Sequence, residues 1–227
     1  MTANKGFWDR WAGAYDGAMA ASGGLYEQIA NRIKKSLNRE MNVLELACGT
    51  GLLSDRLAGS VKLLEATDFS EAMIRQAKAK NYSSRLHFSV QDATALPYAT
   101  ASFDAVVIAN ALHIMPQPEL ALEEIRRVLK PGGALYAPTF VHGRGAGFRL
   151  RARIMALAGF KVYSKWAADE FAAYVSGHGF KVTRTELLGG KIAPLCYLEA
   201  VLPANDEQAH DSFWSDRERR VTNGPAQ

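Results

Sequence analysis

Residues Val43–Ser54 read VLELACGTGLLS: a short apolar run, a turn carrying Ala47, Gly49 and Gly51, and then the start of a helical pattern. Small residues at such a junction let backbone N–H groups and a helix N-terminus come close to a ligand. Dinucleotide and nucleotide-phosphate sites share this layout, so the spacing has to discriminate. A dinucleotide fingerprint needs G-x-G-x-x-G. Counted from Gly49 and Gly51 the third position is Ser54, and counted from Ala47 and Gly49 it is Leu52. A Walker loop needs Gly-Lys-Ser/Thr, and Val43–Arg56 holds no lysine. A pyrophosphate or triphosphate is therefore not the expected ligand, and a nicotinamide oxidoreductase is disfavoured.

Outward from this turn, strands alternate with helices. Val61–Thr67 reads as a second strand, Glu71–Lys80 as a helix with Glu71 and Arg75 four apart, and Leu86–Val90 as a third strand. Phe103–Ala109 is nearly all apolar, as a strand buried on both faces should be. Pro118 opens a helix with Leu122, Ile125 and Leu129 on one side, Pro131-Gly132-Gly133 is expected to stop it, and Ala134–Phe140 reads as strand five. Such alternation implies right-handed crossovers and a parallel sheet covered on both faces. The rhythm then breaks. His142–Lys161 carries Arg144, Arg149, Arg151, Arg153 and Lys161 with no acid, a helix follows around Trp166–Val175, and Phe180–Leu188 and Ile192–Leu202 form a hairpin pattern across Gly189-Gly190. Upstream, Trp8, Trp11 and Tyr15 recur at helical spacing, as do Leu25, Ile29, Ile33 and Leu37, with Gly23-Gly24 as a breaker between the two segments.

The composition fits this α/β reading. The chain has 227 residues, 48% hydrophobic and 22% charged, which excludes disordered, collagenous and disulfide-scaffold classes. A net charge of +4 is too small for a dedicated nucleic-acid binder. Cys48 and Cys196 cannot build a disulfide framework, the N-terminus has no continuous apolar stretch of a secretory signal, and Ala105–Met115 is too short to span a bilayer. The expected organisation is a helical cap over 1–40, one ligand-binding domain over 41–202 and a polar tail over 203–227, in a soluble cytoplasmic protein of unknown oligomeric state.

The motifs together resemble the class I S-adenosylmethionine-dependent methyltransferases, in the small-molecule branch that includes quinone-biosynthesis C-methyltransferases. The resemblance runs from about Trp11 to Phe140. Glu45-Leu46-Ala47-Cys48-Gly49-Thr50-Gly51 matches the acidic residue and glycine-rich turn, with Ala47 in place of the first family glycine. Ala66-Thr67-Asp68-Phe69-Ser70, Gln91-Asp92-Ala93, Phe103-Asp104-Ala105-Val106-Val107 and Leu129-Lys130-Pro131-Gly132-Gly133 follow in the family order. The resemblance implies a Rossmann-like, doubly wound, mostly parallel seven-stranded sheet with a C-terminal antiparallel hairpin and an N-terminal helical lid. It also implies S-adenosyl-L-methionine as cofactor and S-adenosyl-L-homocysteine as product.

Site residues follow from the same resemblance. The turn of Ala47, Gly49, Thr50 and Gly51 would pack on the methionine–ribose part. Asp68, 17 positions beyond Gly51, would accept both ribose hydroxyl protons; the alternative is a solvated acid at a strand end. Asp92 would accept from the adenine amine with Ala93 offering its N–H, or else simply form a turn. Phe69 and Met73 flank the adenine or belong to the core. Glu45 orients the amine end or caps loop N–H groups. Asn110, directly after strand four, is a further cofactor-binding candidate.

Methyl transfer needs mainly alignment and desolvation, with a base only where the nucleophile must lose a proton. Asn110-Ala111-Leu112-His113 lacks the Pro-Pro-aromatic sequence of amide and base methylation, so the expected acceptor is a small molecule and not a nucleic acid. His113 is a candidate base or a packed histidine. Tyr15, in Ala14-Tyr15-Asp16, resembles the family's Tyr-Asp pair on a helix closing over the cofactor. Trp11, His113 and His142 are candidate substrate contacts, with Trp8 beside them. The basic 144–153 segment either gives weak membrane-surface association or is a solvated face. No histidine stands at metal-ligand spacing, and no metal is expected.

Overall fold

Alternation along β1 (Asn42–Leu46) divides the interior in two. Leu44 and Leu46 enter one hydrophobic core and Val43 the other, and Glu45 falls on the Val43 side by the same two-residue period. The computed structural model of the chain describes residues 5–19, 23–80, 83–141, 161–189 and 194–204. His142, the basic 144–153 segment and the tail from 205 onward lie outside the described residues.

β1 pairs in parallel with β2 (Leu63–Asp68) on one side and β4 (Phe103–Ile108) on the other. β3 (Leu86–Val90) and β5 (Leu129–Tyr136) extend the parallel sheet outward. β8 (Leu195–Val201) runs antiparallel beside β5, and β7 (Lys181–Leu188) runs antiparallel along the far edge of β8. Helices α2 (Gly23–Ile33), α3 (Leu52–Ala58) and α4 (Glu71–Lys78) supply Ile29, Ile33, Leu57 and Ile74 to the core that holds Val43 and Val107. On the opposite face α5 (Pro118–Val128) and a helix numbered α6 (Ala168–Ser176) supply Leu122, Ile125, Phe171 and Val175. α1 (Lys5–Met19) lies across α4. No helix among the described residues is long and apolar enough to cross a membrane.

The Rossmann-like, mostly parallel sheet with its C-terminal antiparallel hairpin is as expected, with four corrections. The sheet has eight strands among the described residues, not seven, because strand five breaks at Ala137-Pro138 and resumes as β6 (Thr139–Phe140), which also pairs with β8. Pro131-Gly132-Gly133 does not terminate α5. The helix ends at Val128, and these residues lie inside β5. Leu129 pairs with Phe103, and the next pairing is Ala134 with Ala105, so Lys130–Gly133 bulge opposite Asp104 alone. A Cβ on Gly133 would stand 2.7 Å from the Lys130 carbonyl oxygen, which is why glycine is required there. Lys130 closes the bulge with a 2.6 Å ion pair to Asp104.

The remaining corrections concern the ends of elements. Gly23-Gly24 do not separate two helices; they form the first turn of α2, and Leu37 lies beyond its end at Ile33. Several boundaries also shift by two residues: β2 begins at Leu63 rather than Val61, α4 ends at Lys78 rather than Lys80, and α6 begins at Ala168 rather than Trp166, while β8 is described from Leu195 and the expected start at Ile192 lies outside the described residues. Fraying at element ends accounts for shifts of this size.

Candidate functional site

The order β3-β2-β1-β4-β5 reverses direction between β1 and β4, and in such sheets ligands lie outside the carboxyl ends of the strands at that switch point. The turn after β1 is wound through left-handed backbone at Ala47 (φ 54°), Gly49 (φ 57°) and Gly51 (φ 81°). Alanine is uncommon in this region, and its strain is held by the surrounding bonds. One such bond comes from Asp68 at the end of β2, whose Oδ2 accepts the Gly49 N–H at 2.8 Å while its Oδ1 accepts the Ser70 N–H at 2.8 Å. Burial raises the Asp68 pKa, and the two N–H groups pull it back. Ser70 caps α4, its Oγ accepting the Met73 N–H at 3.1 Å.

Glu45 is the second carboxylate of the crevice. It is 1% exposed, and burial pushes its carboxyl up to about 8, the Asp68 charge adding to this. Glu45 Oε2, Ser54 Oγ and Asn110 Oδ1 are the buried side-chain atoms without a hydrogen-bond partner among the described residues. Such orphans are costly and point to a partner not supplied by the chain. A cavity of about 20 Å³ adjoins Glu45, with Ala47, Cys48, Ala109, Tyr15 and Tyr26 in its wall. That is about the space of one water. Burial pushes the Cys48 thiol well up, which leaves it unreactive.

α1 covers this crevice. The Tyr15 ring stands 3.7 Å from the position a Gly49 Cβ would take, and its hydroxyl lies 3.2 Å from that of Tyr26. Burial raises the pKa of both phenols. The Asp16 carboxylate accepts the Thr50 hydroxyl and pairs with Lys80 at 2.6 Å, and Lys80 donates to the Thr50 carbonyl at 2.9 Å. Nearer the N-terminus of α1, Asp9 accepts the Ser70 hydroxyl at 2.5 Å.

The other sequence candidates are spread around this centre. Met73 is 2% exposed, whereas Phe69 is half-buried with the Lys5 ammonium 5.7 Å from its ring. Asp92 Oδ1 accepts both the backbone N–H of Thr94, at 2.9 Å, and its hydroxyl, at 2.7 Å, and Ala93 beside it is buried. Asn110 follows β4 in left-handed backbone (φ 55°), its N–H donating to the Pro138 carbonyl at 2.7 Å. His113 is buried outside the cavity wall, with Nδ1 at 2.9 Å from Thr139 Oγ1. Trp8 meets Tyr15 edge-on, while Trp11 stacks on Phe7 and is 43% exposed. Tyr26 and Lys80 belong to the crevice but carry no mark in the sequence. Tyr26 sits beside the Leu25–Ile29–Ile33 ladder, and nothing in the one-dimensional pattern pairs Lys80 with a residue 64 positions earlier.

Residues 43–133, which include β1 through the bulge of β5, match a family described as a methyltransferase domain. Over 107 residues, 47% of this chain, the sequence is 41% identical to a demethylmenaquinone methyltransferase of Renibacterium salmoninarum, 44% of which is covered. The chain spans about half the length of the curated relatives it matches. The fold is shared with a chain of the complex between the Haloferax volcanii Trm112 methyltransferase activator and a methyltransferase (TM-score 0.74, 20% identity, 88% of this chain and 97% of that one). It is also shared with magnesium protoporphyrin IX methyltransferase from Synechocystis, crystallised with S-adenosylhomocysteine (TM-score 0.62, 20% identity, 80% of this chain and 84% of that one). Within the matched segment lie Glu45, the glycine turn, Asp68, Asp92, Asn110 and His113. Tyr15, Trp11 and His142 lie outside it.

Proposed function

We propose that the chain binds S-adenosylmethionine and transfers its methyl group to a small organic acceptor, releasing S-adenosylhomocysteine. The observation that carries this reading is Glu45 Oε2, buried and unpartnered beside the glycine turn of the segment that matches a methyltransferase domain. A carboxyl group held near neutrality by burial ionises readily once an ammonium is brought against it, and the cofactor's amino-acid end carries one. Asp68 accepts the ribose hydroxyls, since an ionised carboxylate offers about four lone-pair sites and two are taken by Gly49 and Ser70. Asp92, with Oδ1 held by Thr94, accepts from the adenine amine, and Phe69 flanks the ring.

The cofactor supplies a methyl group on a sulfonium, which is already a good leaving group. The chain's own task is to align and to exclude water. α1 with its Tyr15 and Trp8 acts as a lid within a 1–40 cap on the 41–202 domain, which the polar 203–227 tail follows in the sequence. The cavity beneath the lid adjoins Glu45 and Ala47, and movement of α1 would widen it to admit the methionine chain. On the acceptor side, Asn110 Oδ1 is available to orient a donor, and His113 handles a proton only through Nε2, its Nδ1 being engaged by Thr139. Trp11, exposed on the outer side of α1, has no part here. The name of the demethylmenaquinone methyltransferase relative supports an acceptor that is a small organic molecule.

Calorimetric titration with S-adenosylmethionine and, separately, NAD tests the cofactor. Binding of the first and not the second is expected; the reverse would discard the reading. Incubation with a metabolite mixture should then yield S-adenosylhomocysteine. Binding without any such product would reduce the chain to a non-catalytic binding module.

A further inference from the structure

α2 is anchored in the core: Ile29, Ala30 and Ile33 have no exposure. It presents Tyr26 to the cavity beside Glu45 and Ala47. The Tyr26 hydroxyl faces that of Tyr15 at 3.2 Å, and the Asn110 side chain at the end of β4 is also turned toward it. α1 is held differently. At its rim, Lys5–Glu71 (4.0 Å) and Asp16–Lys80 (2.6 Å) are part-exposed ion pairs, modest and screened by salt, and Asp9 and Asp16 accept the Ser70 and Thr50 hydroxyls. Phe7 and Ala12 pack apolar surface, which has no directional preference. The paired phenols are the directional, buried contact between α1 and α2, and separating them inside the protein strands the Tyr15 hydroxyl.

We propose that Tyr26 is the positioning residue that sets where α1 closes: through its hydroxyl it holds the Tyr15 ring against Gly49, and so fixes the wall at the amino-acid end of the cofactor. The inference rests on the S-adenosylmethionine reading. Removing the Tyr26 hydroxyl leaves the Asp68 and Glu45 contacts in place but lets α1 open more readily, so bound ligand escapes faster. The net contribution of one such hydrogen bond corresponds to about threefold to tenfold in a rate or binding constant.

The test uses the full chain with S-adenosylhomocysteine as probe, following its displacement by stopped flow for wild type, Tyr26→Phe, Tyr15→Phe and the double variant. Each single variant should release the probe about threefold to tenfold faster, with melting temperature close to wild type. The double variant should be no faster than either single one, because both remove the same bond. In the complexes, cleavage after Arg10 should speed up in step with release. Unchanged release from Tyr26→Phe, or additive effects in the double variant, would overturn the inference. Should Tyr26→Phe fail to fold, Tyr15→Phe breaks the bond from the other side, and normal release there would overturn it equally. A wild-type chain that binds no S-adenosylhomocysteine would overturn the cofactor reading itself, and this inference with it.

Discussion

Asp68 and Gly49 are joined by a 2.8 Å hydrogen bond, the carboxylate at the end of β2 accepting the N–H of the turn after β1. One side chain thus shapes the left-handed turn and, in the proposed reaction, receives the ribose. The two tasks are compatible because the backbone N–H groups occupy only part of the carboxylate's acceptor capacity.

Asp68→Ala should therefore lose more than a ligand contact. Each charge-assisted bond removed weakens cofactor affinity by about 1.5–3 kcal/mol, and the melting temperature should fall as the Gly49 and Ser70 N–H groups lose their acceptor. Asp68→Asn, which keeps one carbonyl acceptor, should lie between. Unchanged affinity by calorimetry in Asp68→Ala would show that the ribose lies elsewhere.

Gly49→Val places a β-branched residue at φ 57°, at a cost of about 1–3 kcal/mol. The new side chain points at Tyr15, whose ring is 3.7 Å from the Cβ position. The variant should fold with a lowered melting temperature and bind no cofactor. A folded variant with normal affinity would place the ligand away from the turn.

The Glu45 carboxyl stands at about 8 in the folded chain against an ordinary 4.5. Between these values the folded state binds the proton more tightly than the unfolded state. Its contribution to stability is thus fully present below 4.5 and is lost as pH rises through about 8. The ligand-free melting temperature should decline over this interval, and Glu45→Gln should flatten that decline. Binding an ammonium-bearing cofactor near pH 7 should release a proton from wild type and not from Glu45→Gln, read by calorimetry in buffers of different ionisation enthalpy. No proton release from wild type would remove Glu45 from the amine site.

The Asp16–Lys80–Thr50 clasp holds α1 to the glycine turn from its rim. Lys80→Met should speed tryptic cleavage after Arg10 in the free chain, and added S-adenosylhomocysteine should slow that cleavage in wild type. Added salt should mimic the substitution in direction, since the pair is partly exposed. Equal protection of Arg10 with and without ligand would make α1 a fixed structural helix.

The parallel sheet was legible in the sequence because its signals are local. Apolar runs such as Val43–Leu46 and Phe103–Ile108 fit only buried strands, and the turns between them carry the small residues that the crossovers need. Gly49 could be picked out for the same reason, as a small residue in a strand–helix turn, whereas Glu45 and Asp68 were picked out by the resemblance of their motifs to the methyltransferase family. Pro131-Gly132-Gly133 misled, since the same residues that stop a helix also build a bulge, and only the pairing of Leu129 with Phe103 decides between them. The tertiary structure alone decided that a carboxylate at position 45 would be buried without a partner. It also decided that Asp16 would find Lys80, and that Tyr26 would meet Tyr15. Those contacts join segments whose separation along the chain carries no pattern. They depend on how helices dock over the sheet, which is set by the summed packing of many side chains and not by any short stretch of sequence.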